Sequence, residues 1–177
     1  PALTRAAFLA KSTGTKLHLF LCAYDAAVGI ATFLTGGQKN NFIQTMIDGS
    51  TVKVERLRDR YISEGISVTC EVIWERHPTD AILERCEQEE FDLVMKFAKH
   101  HTRRDAMFNP IDWNLMRYCH CPVMLVKEGQ WDDVGQVLAA VDAAPESILH
   151  ERLNKAILDR AVFLANALDF ELHLVSA

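Results

Sequence analysis

The chain has 177 residues, 49% of them hydrophobic, which is enough apolar material for the packed core of one domain or slightly more. Its net charge of −5 argues against a nucleic-acid module held by bulk electrostatics, because such modules carry a basic excess. Five cysteines, at positions 22, 70, 86, 119 and 121, are odd in number and follow no secretory leader, so they read as reduced thiols of a cytoplasmic protein. No apolar stretch is long enough to cross a bilayer, which takes roughly 20 helical residues, so no membrane partner is expected.

Taken in chain order, residues 1–12 carry Leu3, Ala6 and Ala10 at helical spacing and stop at Gly14. Residues 17–22 are a nearly continuous apolar run, suited to a strand buried on both faces of a parallel sheet. Gly29, Gly36 and Gly37 punctuate 24–36, which reads as loop. A helical pattern over 38–63 ends at Gly65, and 66–74 is the next strand, with Val68, Cys70 and Val72 alternating. Pro78 opens a short helix with Ala81, Ile82 and Cys86 on one face. Residues 91–97 form a third strand, and the polar stretch 98–107 leaves its carboxyl end. Asn109 as N-cap and Pro110 at the first helical position start a helix to about residue 119. Residues 122–127 are a fourth strand, and 137–144 repeat a buried-strand pattern. Strands separated by helices of this length need crossover connections, so the fold class is α/β, an open, mainly parallel sheet with helices on both faces.

Sliding the sequence along itself by 155 positions lays Pro1 to Cys22 on Ala156 to Ala177 without a gap. Leu3, Arg5, Ala6, Phe8, Leu9, Ala10, Leu17, His18 and Leu19 recur, and because the match runs through a helix end into the following strand, duplication explains it better than shared helix composition. The strand pattern at 137–144 has its counterpart before residue 1, so the first copy is expected to lack its opening strand, and the second to stop after its second strand. Both copies are therefore incomplete. The expected domains are 1–127 for the first copy, 128–134 for a linker, and 135–177 for the start of the second.

Asp92-Leu-Val-Met95, then a loop and helix, then Cys121-Pro-Val-Met-Leu-Val126 resembles the closing half of a universal stress protein domain. Pro78-Thr-Asp-Ala-Ile82 is similar to that family's proline-led helix after the third strand, and Ala139-Ala-Val-Asp142 to its first strand, which ends in an acidic residue. With the internal repeat, the resemblance is to the tandem-domain type and covers nearly the whole chain. It implies a Rossmann-like, adenine nucleotide alpha hydrolase-like fold, with a nucleotide pocket at the carboxyl ends of the strands, where open α/β sheets bind ligands.

In that family a loop of spaced glycines and a serine brings backbone N–H groups close to the phosphates. Counting back from Cys121-Pro122, the three glycine positions hold Lys96, Lys99 and Asn109 here, and the serine position holds Pro110. The first copy is therefore not expected to bind ATP in the family's manner. Lys96, Lys99, His100, His101, Arg103 and Arg104 make the replacement basic, either as a degenerate anion site that includes Asn109 or as a solvated loop offset by Asp105 and Asp112. The resemblance puts the better-preserved ligand site in the second copy, with Val141, Asp142 and Ala143 beside ATP or another phosphorylated ligand. The competing reading of Asp142 is a helix cap.

Cys119-His120-Cys121 and His100-His101 have zinc-ligand chemistry, but neighbours entering a strand alternate in direction and no standard paired spacing is present, so no metal is expected. No catalytic motif stands out, and no catalytic residue is assigned. Trp74, Trp113 and Trp131 read as packing residues. The resemblance makes Val123 to Val126, the final strand of the first copy, a candidate seam for domain pairing. The expected function is a non-catalytic stress-response protein that senses or binds a phosphorylated small ligand and docks protein partners. The alternatives are a weak ATP-hydrolysing or phosphoryl-transferring enzyme and a ligand-free scaffold.

Overall fold

The computed structural model describes residues 1–30, 35–98, 110–129 and 135–176. The chain folds as two compact units, Pro1–Glu128 and Gly129–Ala177. The first runs α1 (Ala2–Thr13), β1 (Leu17–Ala23), α2 (Ala26–Ile30), α3 (Gly36–Ser63), β2 (Val68–Trp74), α4 (Pro78–Gln88), β3 (Val94–Phe97), α5 (Pro110–Tyr118) and β4 (Val123–Val126). The second runs β5 (Gln136–Val141), α6 (Ile148–Leu168) and β6 (Glu171–Ser176). Among the described residues, no helix is long and apolar enough to cross a membrane.

Helix starts follow their local chemistry. α4 and α5 begin on Pro78 and Pro110, where a missing N–H costs nothing. α3 begins at Gly36, ahead of its apolar pattern, because Thr35 and Gln38 form a reciprocal capping box that satisfies two otherwise orphaned backbone donors. The expected loop over 24–36 is corrected by α2. Asp25 Oδ1 accepts from the backbone N–H groups of Ala27 at 2.8 Å and Val28 at 3.2 Å, which caps a short helix in a glycine-containing stretch.

Among the described residues, all strand pairing is parallel. β1 and β2 run in register from Leu17↔Val68 to Ala23↔Trp74, β3 and β4 from Val94↔Val123 to Phe97↔Val126, and β5 and β6 from Gln136↔Glu171 to Val141↔Ser176. Among the described residues, no ladder joins these pairs into one continuous sheet. Ala7 and Ala10 of α1, Leu19 of β1, Val54 and Tyr61 of α3, and Ile66 and Val68 form one core of the first unit. Leu115 and Val126 are the most completely buried side chains, at 0% and 1% exposure.

The internal repeat extends to the helix caps. α1 ends at Gly14 with φ 67°, and α6 ends at Asp169, the position 155 further on, with φ 55°. The next residue in each copy closes the turn, Thr15 N–H donating to Ala10 at 3.1 Å and Phe170 N–H to Ala165 at 2.9 Å. Both copies bury the same alanines, Ala6 and Ala10 in one, Ala161 and Ala165 in the other. Because a left-handed cap costs a side-chain-bearing residue more than glycine, Asp169→Gly is expected to raise stability by roughly 0.5–1 kcal/mol, read from the urea midpoint. An unchanged midpoint would show that the aspartate already meets the αL geometry without strain.

Candidate functional site

At the carboxyl end of β3, Lys96 reaches the first turn of α5. Its Nζ lies 2.6 Å from Asp112 Oδ1 and donates to the Phe97 carbonyl at 3.1 Å. The Asp112 contact has ion-pair distance but not hydrogen-bond angles, so the attraction is Coulombic. Asp112 is only 8% exposed. Of the residues expected at a first-copy anion site, Lys96 is therefore already partnered by a carboxylate of its own chain. Lys99, His100 and Asn109 lie outside the described residues, as do His101, Arg103 and Arg104.

A cavity of about 400 Å³ opens between β1 and β3, lined in part by His18, Phe20, Cys22, Arg85, Met95 and Lys96. His18 Nδ1 is 2.8 Å from the Thr69 hydroxyl and its Nε2 is 3.7 Å from Glu71, which Arg85 also engages. Burial pushes the Cys22 thiol up to about 11, reinforced by Glu75 and Glu71.

Hydrogen-bond parity shows which strand edges border this space. Leu17 donates to Ser67, and Glu75 donates to Ala23, so odd-numbered β1 residues face β2. In the second copy Glu171, the counterpart of residue 16, donates to Gly135, on the β5 side. Residues of opposite parity face opposite strand edges, so β6 pairs with β5 through the parity that β1 does not use for β2. In β3, Val94 donates to Pro122 and Ala98 to Val126, which turns its odd-numbered positions toward the same space. The cavity is thus bordered by the unpaired edges of β1 and β3, and its dimensions are not by themselves those of a ligand pocket.

In the second unit, Asp142 follows β5 directly. Its backbone is held twice by Asn154 of α6, the Asp142 N–H donating to Asn154 Oδ1 at 3.0 Å and Asn154 Nδ2 donating to the Asp142 carbonyl at 2.7 Å. Asp142 Oδ1 accepts from the Ala144 N–H at 2.9 Å, and Oδ2 lies 3.8 Å from His150 Nδ1. Ser147 is the residue that caps α6, its Oγ accepting from the His150 N–H at 3.3 Å. Asp142 is thus exposed and pre-positioned at the strand end, with Val141 half-buried beside it and Ala143 exposed. The cap reading of Asp142 is met only locally, by its turn to Ala144.

At the opposite, amino end of β4, the structure assembles Cys86, Cys119 and Cys121, whose sulfurs all lie within 4.8 Å of one another. The chain bends at His120 and Cys121, ahead of β4, and this brings Cys119 and Cys121, two residues apart, together at 3.6 Å. Cys86 comes from the last turn of α4, a tertiary approach with no signature in sequence spacing. Burial, then the neighbouring thiols, pushes Cys86 up to about 12. The stability linked to its bound proton is fully present below the ordinary thiol value of 9.0 and is lost as pH rises toward 12.

Of the tryptophans, Trp74 packs on Tyr24 with ring centroids 5.3 Å apart, Trp113 is half exposed, and Trp131 lies outside the described residues.

Parallel strand pairs connected through helices define an α/β protein of the Rossmann-like class. A functionally unknown protein from Pseudomonas aeruginosa PAO1 has the same fold, with a TM-score of 0.77 at 24% identity over 98% of this chain and 54% of that one. The model of the universal stress protein family matches residues 1–127, and the chain belongs to that family. It is 34% identical over 179 residues to universal stress protein E of Escherichia coli K12, covering 100% of this chain and 57% of the relative. It is 29% identical to the universal stress protein E homolog of Haemophilus influenzae, covering 99% and 59%. The chain thus spans a little over half the length of these relatives.

Proposed function

We propose that the chain is a cytoplasmic, non-catalytic stress-response protein that binds a nucleotide or another phosphorylated small ligand through its second copy and docks protein partners. The observation that carries this reading is the Asn154 clamp on Asp142. It fixes an exposed acceptor at the carboxyl end of a parallel strand, where such folds take ligands, and a carboxylate there suits the hydroxyl and amino donors of a nucleoside. The first copy contributes less, since the Lys96 charge is offset by Asp112. Domain pairing is assigned to β4, which bonds to β3 along one edge and carries no ladder on the other among the described residues.

The test is native mass spectrometry of the full chain purified without added nucleotide, repeated with ATP added and with Asp142→Ala. A nucleotide-sized adduct in the wild type is expected, falling about tenfold or more in the variant, in line with the loss of a charged hydrogen-bond acceptor. Bare protein in every sample would overturn the reading and leave partner docking as the function.

A further inference from the structure

The geometry points to a three-thiolate site for a soft d10 metal ion, Cu(I) fitting best, formed by Cys86, Cys119 and Cys121 at the amino end of β4. The site is separate from the strand carboxyl ends at which Lys96 and Asp142 lie. Three features build it. α5 packs against α4 and β4 and so holds the segments that carry the thiols. The chain leaves α5 with the Cys119 N–H donating to Leu115 at 3.0 Å, and Leu115 is completely buried. α4 is closed just past Cys86 by Glu89 N–H donating to Arg85 at 3.1 Å. The sulfur positions are thus tied to packed helix ends.

The spacing matches metal binding closely. A metal–sulfur bond of about 2.3 Å requires sulfurs about 4 Å apart in a trigonal plane. Here Cys119 and Cys121 are at 3.6 Å, and all three sulfurs lie within 4.8 Å, so small side-chain rotations complete the triangle. The thiols are free and half-buried, open enough for an ion to enter.

The donor set selects the ion. Thiolates alone favour Cu(I) and zinc over magnesium, calcium or manganese, which take oxygen ligands. Structural zinc closes its tetrahedron with four protein ligands, whereas no imidazole or carboxylate joins this sulfur group among the described residues. His120 sits between the two cysteines in sequence but turns outward, 3.7 Å from Glu87, with both side chains mostly exposed. A trigonal sulfur set with no fourth ligand fits three-coordinate Cu(I). On loading, each thiol that becomes a ligand gives its proton to solvent, and the metal keeps its oxidation state.

The experiment titrates the reduced, metal-free full chain anaerobically with Cu(I), supplied as its acetonitrile complex against a chromogenic Cu(I) chelator. One equivalent per chain is expected, with three sulfur ligands by X-ray absorption. Loss of an outer-shell partner alone typically costs about 10–100-fold in metal affinity, so Cys86→Ser, Cys119→Ser and Cys121→Ser should each weaken binding by at least that factor. Cys70→Ser, outside the cluster, should leave it unchanged. No competition with the chelator, coordination by fewer than three sulfurs, or wild-type affinity in the three cluster variants would overturn the site. The wild-type absorption spectrum decides the matter even if a serine variant fails to fold.

Discussion

Replacing Leu115 by alanine is expected to lower the unfolding free energy of the Pro1–Glu128 unit by about 3 kcal/mol, within the range of about 2–5 kcal/mol for large-to-small changes at sites that cannot collapse. Leu115 has 0% exposure, and its helix packs against both α4 and β4. Removing its branched end leaves space that neither neighbour can fill by a simple shift. α4 is committed to β2 through Arg85 and Glu71, and β4 is committed to β3 over four register positions. Urea denaturation followed by tryptophan fluorescence measures the change. A loss below about 1 kcal/mol would show that α5 relaxes freely onto the sheet. That result would also loosen the support of Cys119, which hangs from the Leu115 carbonyl.

Much of the fold was legible in sequence because its signals are local. Strand 17–22 announced itself as an apolar run, although only Leu19 of it is buried and Leu21 is exposed, Pro78 and Pro110 marked helix starts, and Gly14 marked a helix end. The repeat was visible as matched residues, but the left-handed cap that Asp169 shares with Gly14 came from the backbone geometry. What escaped was set by short-range side-chain bonds or by tertiary approach. α2 depends on Asp25 turning back to its own backbone, in a stretch whose glycines signalled loop. The cysteine cluster depends on α4 meeting the end of α5, and only Cys119 and Cys121 are close in sequence. For the candidate ligand site, the acidic strand end at Asp142 could be singled out, but Asn154 could not, because its importance lies in two hydrogen bonds back to a turn twelve positions upstream. The Lys96–Asp112 pair was half legible, as opposing charges in the same stretch of chain, without the geometry that joins them.

That pair carries the second large effect. Lys96→Met should destabilise the first unit by about 2 kcal/mol, because it leaves the Asp112 carboxylate buried without a counter-charge. Breaking a well-buried pair costs about 3–5 kcal/mol, and the value here is reduced because the Lys96 and Asp112 side chains keep 24% and 11% exposure. The double change Lys96→Met with Asp112→Leu should recover most of the loss, since an apolar pair of similar size removes the desolvation cost on both sides. A double-mutant cycle in urea separates this coupling from lost packing. The same variants bear on function. If Lys96 serves chiefly to neutralise Asp112, the double variant should retain the wild-type nucleotide adduct in native mass spectrometry, because the proposed ligand site is the one at Asp142. If the adduct disappears while stability is restored, Lys96 is a phosphate ligand and the first copy carries the binding site.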